Sequence, residues 1–265
     1  MPVPLLALPP RMSRVSAGLS DAYKALRIAA HFGHGTLLVA LRFADWNKAQ
    51  RLAAIQRWAR AVLATLHIKV QCSQPAPPDF AGLVVCNHLS WLDVLVLQSL
   101  IPGAFVAKRE VRHWPVVGYL AHACATIFVD RASARSARAM VEDTASAIAQ
   151  GYAVVVFPEG TSSDGSALGS FHANIFESAI RARCEVQLLT LHYIDSATGE
   201  AATAAHFIGD MTLAQSLKRV MASSTIEARV HLGERVVALG HTRKSLALHA
   251  HGKIRAQLLA LVQAS

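Results

Sequence analysis

No two cysteines lie close enough along the chain to clasp a metal or cycle as a dithiol. Cys72, Cys86, Cys124 and Cys184 are scattered singly, mostly among apolar neighbours. Zinc-type and thioredoxin-type chemistry therefore has no foothold here, and free thiols of this kind suit a reducing, cytoplasmic compartment. The H-E-x-x-H and G-x-x-x-x-G-K-[ST] motifs are absent, and Gly33-His34-Gly35 lacks the rest of a dinucleotide fingerprint. The G-x-S-x-G nucleophile elbow is missing too, because Gly160-Thr161-Ser162-Ser163-Asp164 has the wrong fifth residue. Zinc-finger spacing and an RNA-binding aromatic motif are lacking, which sets nucleic acid aside as a partner. No apolar stretch reaches the ~18 residues of a membrane span. The longest candidate, Ile28 to Leu41, is shorter and holds His31, Gly33, His34 and Gly35. Met1 to Pro10 is apolar but has no basic start and is split by prolines, so it does not read as a secretory signal.

What is present is apolar and basic. Of 265 residues, 53% are hydrophobic and only 16% charged, and the formal charge is +9. That length holds one large α/β domain with a real core. Few charges, most of them basic, on an apolar chain suit a membrane surface better than a nucleic acid. The charge is also uneven. Residues 1–60 hold nine basic side chains against Asp21 and Asp45, a net +7. Between Trp46 and Leu66 the apolar positions Leu52, Ile55, Trp58, Ala59, Val62, Leu63 and Leu66 recur at intervals of three and four, the mark of an amphipathic helix. The expected organisation is a basic, helical membrane-docking segment over residues 1–66, followed by an α/β domain over 67–265. Within that first segment, two helices should break near Gly33–Gly35 or at Phe43-Ala44-Asp45.

Beyond residue 66, short apolar runs alternate with helical patterns. Strands are expected at Ile68–Cys72, Leu83–Cys86, Ala104–Lys108, Ala125–Val129, Tyr152–Phe157, Val186–Tyr193, Ala205–Ile208 and Ile226–Leu232. Helices are expected from Trp91, from Trp114, over Ser133–Gln150, over Phe171–Ala182 and over Arg243–Val262. This alternation argues for a mostly parallel central sheet flanked by helices on both faces.

Three stretches carry chemistry. The first is Cys86-Asn87-His88-Leu89-Ser90-Trp91-Leu92-Asp93. On one continuous helix, His88 and Asp93 would be about 500° apart in rotation and would not meet. With a turn between them and Ser90 as N-cap, Asp93 falls near the third helical position, where its carboxylate is favoured and can reach back to the imidazole. A carboxylate on one ring nitrogen fixes the tautomer and frees the other nitrogen as a base. Alone, the same residues suit an ordinary helix start equally well. The second stretch, Ile127-Phe128-Val129-Asp130-Arg131, ends a strand with a guanidinium at the sheet rim, where Arg can clamp a phosphate. The third, Phe157-Pro158-Glu159-Gly160-Thr161-Ser162, runs a buried strand into a turn with hydrogen-bonding side chains.

In this order and at strand ends, the three stretches resemble the glycerolipid acyltransferase family that includes 1-acylglycerol-3-phosphate acyltransferases, over roughly residues 50–240 by the positions just quoted. The resemblance implies that His88 is the general base and Asp93 its orienting partner. It further implies that Arg131, Glu159, Gly160 and Thr161 bind the acceptor's phosphate or head group. The implied reaction is direct transfer from an acyl thioester, acyl-CoA or acyl-carrier protein, to the hydroxyl of a lysophospholipid, with no metal and no cofactor. The implied place is the cytoplasmic face of a membrane, held peripherally or monotopically. Some positions depart from the family pattern: Leu188 stands where proline is usual, Ala125 where glycine is common, His172 where lysine is frequent, and Ser162 where arginine often follows Thr161. These departures bear on the acceptor and keep a lyso-ornithine lipid open beside lysophosphatidate. A thioester or lipid hydrolase and a non-catalytic membrane-bound homologue are the readings from other classes.

Overall fold

Leu83, Val84, Val85 and Cys86 carry nothing that water would solvate, and each is fully buried. They form the middle of a seven-stranded sheet. The computed structural model describes residues 12–77, 79–130, 133–223 and 225–263. Its elements run α1 (Met12–Arg42), α2 (Lys48–Thr65), β1 (Ile68–Cys72), β2 (Gly82–Cys86), α3 (Leu92–Leu100), β3 (Ala104–Lys108), α4 (Val117–Ala123), β4 (Ile127–Val129), α5 (Ala134–Ala149), β5 (Ala153–Val156), α6 (Phe176–Ala182), β6 (Glu185–Asp195), α7 (Leu213–Ala222), β7 (Ile226–Val237) and α8 (Arg243–Gln263). The strand order is β1-β7-β6-β2-β5-β3-β4. All neighbouring pairs are parallel except β6 and β7. The chain is thus the expected mostly parallel α/β fold.

Alternation along β2 divides the core. Val84 and Cys86 face a layer that contains Val62, Leu63, Leu92, Val96 and Leu191. Leu83 and Val85 face a second layer with Phe176, Ala179, Leu246 and Ile254. A strand buried on both sides has no polar face to offer, which is why this one reads as an unbroken apolar run.

The N-terminal helices share the first layer, since Ile28 of α1 lies in the same core as Val62, Leu63 and Leu66. Of the two places offered for the break between the helices, Phe43-Ala44-Asp45 holds it, and Gly33 and Gly35 lie inside α1. Gly35 is there for closeness: a Cβ would sit 3.0 Å from Trp58 Nε1, whose N–H donates to the His31 carbonyl at 2.8 Å. At about 100° per residue, the buried Ile28 and Gly35 fall on one side of α1. Tyr23, Leu26, Leu37 and Leu41, all more than half exposed, fall within about 60° of one another on the opposite side.

Three expectations fail locally. The strand expected at 205–208 is a short 3-10 turn, Thr203–Ala205, followed by irregular chain. Its Phe207 N–H donates to the Leu89 carbonyl at 2.9 Å, a single contact to a loop rather than a ladder. Helix α7 was not expected, although Thr212 and Gln215 form a capping box at its start. The helix expected from Phe171 starts as a 3-10 turn, Ala173–Ile175, and becomes α-helical only at Phe176, with His172 extended ahead of it and its N–H donating to the Pro158 carbonyl at 2.9 Å.

Candidate active site

Parallel strands β2 and β5 end side by side, with Val85 paired to Val156. The residues that follow them, Asn87-His88 and Phe157-Pro158-Glu159, therefore emerge together at the carboxyl edge where open α/β sheets bind ligands. Asn87 is buried and extends the sheet by side chain. Its Nδ2 donates to the Leu191 carbonyl at 2.9 Å and its Oδ1 accepts the Leu191 N–H at 2.8 Å. That clamp ends β2 at a fixed point and sets where His88 begins.

His88 and Asp93 do meet. His88 Nδ1 lies 2.8 Å from Asp93 Oδ2, and the same oxygen accepts the N–H groups of Leu89 at 2.7 Å and Ser90 at 2.9 Å. Oδ1 accepts the Tyr193 hydroxyl at 2.7 Å. Asp93 is fully buried, while 21% of the His88 side chain is exposed. A buried carboxylate is tolerable only when its lone pairs are satisfied, and here four donors converge on it. The local start of α3 differs from the expectation. Trp91 is the N-cap and makes no side-chain cap bond, so Asp93 is the second helical residue, not the third. The carboxylate itself supplies the missing acceptor for the Leu89 and Ser90 N–H groups. An ionised carboxylate accepts only, so the proton of the imidazole sits on Nδ1 and Nε2 presents a lone pair.

The imidazole is also held flat. The Phe157 ring stacks on it with centroids 4.1 Å apart and planes 12° from parallel. Just beyond, the Gly160 N–H donates to the Phe157 carbonyl at 3.0 Å, closing a turn with Pro158 second and Gly160 fourth, the residues such turns favour. Gly160 has φ of 77°, a conformation that glycine adopts without penalty.

Glu159 turns inward from this turn. Its Oε1 accepts the His88 N–H at 2.8 Å and its Oε2 accepts the Gly169 N–H at 2.8 Å. The carboxylate ties the His88 loop to the chain that follows the turn. Burial pushes its carboxyl up from the ordinary range, and the Gly169 and His88 amides pull it partly back. Thr161 is exposed beside the site. The Ser162 hydroxyl donates to the Phe207 carbonyl, and the Ser163 N–H donates to the His88 carbonyl at 2.9 Å. Arg131 lies outside the described residues. Ahead of it, Ala125 has φ of 56°, which explains why glycine would be at home there. Among the described residues, no three His, Cys, Asp or Glu side chains gather to hold a metal ion.

This chain is 35% identical over 181 residues to a 1-acyl-sn-glycerol-3-phosphate acyltransferase of Neisseria meningitidis, spanning 68% of the chain and 70% of that protein. It belongs to the glycerolipid acyltransferase family. The family model described as Acyltransferase matches residues 67–192. A lyso-ornithine lipid O-acyltransferase of Pseudomonas aeruginosa is 34% identical over 201 residues, 76% of each chain. The crystal structure of the 1-acyl-sn-glycerophosphate acyltransferase of Thermotoga maritima superposes with a TM-score of 0.71 at 20% identity, covering 94% of this chain and 97% of that one. The likeness shows that the two share a fold.

Two residues that shape the site of this acyltransferase are not marked out as such by the sequence. Phe157 reads simply as the end of an apolar strand. Tyr193 is the only hydroxyl-bearing aromatic in the β6 run, which hints at a buried polar partner, but nothing in the sequence says that the partner is Asp93.

Proposed function

We propose that this acyltransferase moves a fatty acyl group from an acyl thioester to the free hydroxyl of a lysophospholipid, with His88 as general base and Asp93 as its orienting partner. The observation that carries this reading is the 2.8 Å contact between His88 Nδ1 and a fully buried carboxylate. His88 Nε2 takes the acceptor hydroxyl's proton as its oxygen bonds to the thioester carbonyl. The imidazolium that forms is neutralised by Asp93. Collapse of the tetrahedral intermediate breaks the carbon–sulfur bond, and the thiolate recovers the proton. General-base catalysis contributes about 10²–10⁴-fold, so positioning and oxyanion stabilisation supply the rest. Arg131, Gly160 and Thr161 are the acceptor-side residues of this proposal. Glu159 serves it by holding the His88 backbone.

Lysophosphatidate, giving phosphatidic acid, is the first acceptor to consider. A lyso-ornithine lipid is the second, favoured by the Pseudomonas relative's match over 76% of both chains and by Ser162 following Thr161. The donor is acyl-CoA or acyl-carrier protein. Both acceptors live in a bilayer, and α1 offers a way to reach one. Among the described residues no helix is long and apolar enough to cross a membrane. The exposed stripe of Tyr23, Leu26, Leu37 and Leu41 instead suits a helix lying in the interface. Basic residues nearby would each add about 1 kcal/mol on an anionic leaflet. We place the protein peripherally on the cytoplasmic face.

The deciding experiment gives the purified protein each lysolipid in turn with each donor and follows diacyl product by mass spectrometry. Product that requires an acceptor supports acyl transfer. Free fatty acid released at the same rate without any acceptor would make it a hydrolase, and no turnover with any pair would make it a non-catalytic homologue.

A further inference from the structure

We infer that Tyr193 is a positioning residue for acyl transfer, holding the outer oxygen of Asp93 so that the carboxylate keeps one edge and one charge distribution toward His88. The inference rests on His88 being the base. Asp93 Oδ2 is already saturated by the loop that carries it, through His88 Nδ1 and the Leu89 and Ser90 N–H groups. Those three donors sit within five residues of Asp93, so they move with it. Tyr193 comes from β6, a different element, and reaches Oδ1 at 2.7 Å. Among the described residues it is the only hydrogen bond that ties the carboxylate to the sheet rather than to its own loop.

The hydroxyl is well suited to that task. Tyr193 is 2% exposed, so its ring is locked by packing. Burial, with the charge of Asp93 next, pushes its phenol well above the ordinary range, and it stays a neutral donor at every pH at which the protein would work. A neutral donor on Oδ1 draws negative charge away from Oδ2. Removing it returns that charge to the edge facing His88 and favours the imidazolium. The other titratable groups in the field of this cluster are Glu159 and Cys86 and His206, and Tyr193→Phe leaves all three in place.

The test is Tyr193→Phe, assayed with acyl-CoA and a lysolipid across pH. The extra charge on Oδ2 makes the imidazole a stronger base, so the loss of rate comes from the freed carboxylate letting His88 leave its productive orientation. A hydrogen bond to a charged group is worth enough to make that loss about 10- to 100-fold. That loss should appear in kcat, with the acceptor's KM changed less than about twofold. The acid limb of the kcat/KM profile should move to higher pH, which a purely structural role would not produce. In an Asp93→Asn background, Tyr193→Phe should add nothing, because residues acting as one unit are not additive. A folded Tyr193→Phe protein with unchanged kcat and unchanged profile overturns the inference, as does an undiminished effect in the Asp93→Asn background. Should the phenylalanine variant not fold, 3-fluorotyrosine at 193 keeps the hydroxyl and donates more strongly. Its acid limb should move to lower pH, and an unmoved limb overturns the inference. His88→Ala, assayed alongside, separates the two ideas. If it still transfers acyl groups, the base assignment fails. If it is inactive while Tyr193→Phe is normal, only the role of Tyr193 falls.

Discussion

Replacing Asp93 by asparagine and by alanine should give two different failures, and the hydrogen bonds say why. Three donors converge on Oδ2 and one on Oδ1. In Asp93→Asn the amide oxygen can take the Oδ2 position and keep all three. The NH2 group then faces Tyr193, whose hydroxyl can turn round and accept. The three donors on the Oδ2 side stay paired and the Tyr193 hydroxyl exchanges an acceptor for a donor, so the fold should persist with Tm within a few degrees of wild type. What goes is the charge. The imidazolium formed during transfer loses its counter-ion, and kcat should fall about 10²–10⁴-fold, the range of general-base catalysis. Asp93→Ala removes every acceptor at once. The N–H groups of Leu89 and Ser90 and the Tyr193 hydroxyl are stranded in the core, at about 1–3 kcal/mol each. The sum, roughly 3–9 kcal/mol, is comparable with the whole stability of a domain, and Tm should fall by at least about 6 °C. Alanine scanning alone would therefore confuse catalysis with folding here. Thermal unfolding followed by circular dichroism, beside thiol release from acyl-CoA, reads both quantities. An asparagine variant that melts as early as the alanine variant, or that keeps a third of wild-type kcat, would refute the reasoning.

Glu159→Gln should behave in the opposite way to Asp93→Asn: each Glu159 oxygen serves a backbone N–H, so the amide must present its NH2 to one of them. A loss of about 1–3 kcal/mol should appear in thermal melts together with reduced kcat, and unchanged stability would argue that Glu159 does not brace the site. Ala125→Gly should stabilise by about 0.5–1 kcal/mol, since the left-handed conformation costs Ala about 1–2 kcal/mol and glycine returns part of that as unfolded-state entropy; a lower Tm would count against it. Leu26→Glu combined with Leu37→Glu should leave Tm alone, as both side chains are more than half exposed, yet weaken sedimentation with anionic vesicles about 100-fold if each leucine contributes some 1.5 kcal/mol. High salt should weaken wild-type binding without abolishing it, and vesicle binding indifferent to the double substitution would move the docking face elsewhere.

The sequence carried the central architecture because the strands are buried on both sides and so announce themselves as apolar runs. Residues 104–108 and 68–72 are strands with the very bounds expected. It carried the His88–Asp93 pair because both lie in one loop, and five residues of chain constrain where they can go. Glu159 was legible as a residue and misleading as an environment. The motif places it at the carboxyl edge of a strand, but both oxygens turn to backbone amides only in the folded chain. Tyr193 was not legible in that way. It lies a hundred residues from Asp93, and their meeting depends on β6 lying beside β2, a choice of strand order that apolar periodicity does not encode.

Which side of helix α1 is buried was obscured for a different physical reason. An amphipathic pattern announces itself when apolar residues gather on one side and polar ones on the other. In α1 the apolar residues gather on two opposed sides. Ile28 is buried in the main core and Phe43, just past the end of α1, in a smaller cluster with Ala54 and Ile55, while Tyr23, Leu26, Leu37 and Leu41 face outward. With apolar residues on both sides, periodicity alone does not say which side is buried, and Gly33 and Gly35 read as one of two places for a break. Exposure separates what periodicity merges. The inner stripe fixes the helix to the domain that carries His88, so the outer stripe cannot bind a membrane independently of the site. Cutting away residues 1–60 would therefore open the core as well as remove the membrane contact, and only substitutions confined to the outer stripe can test docking by itself.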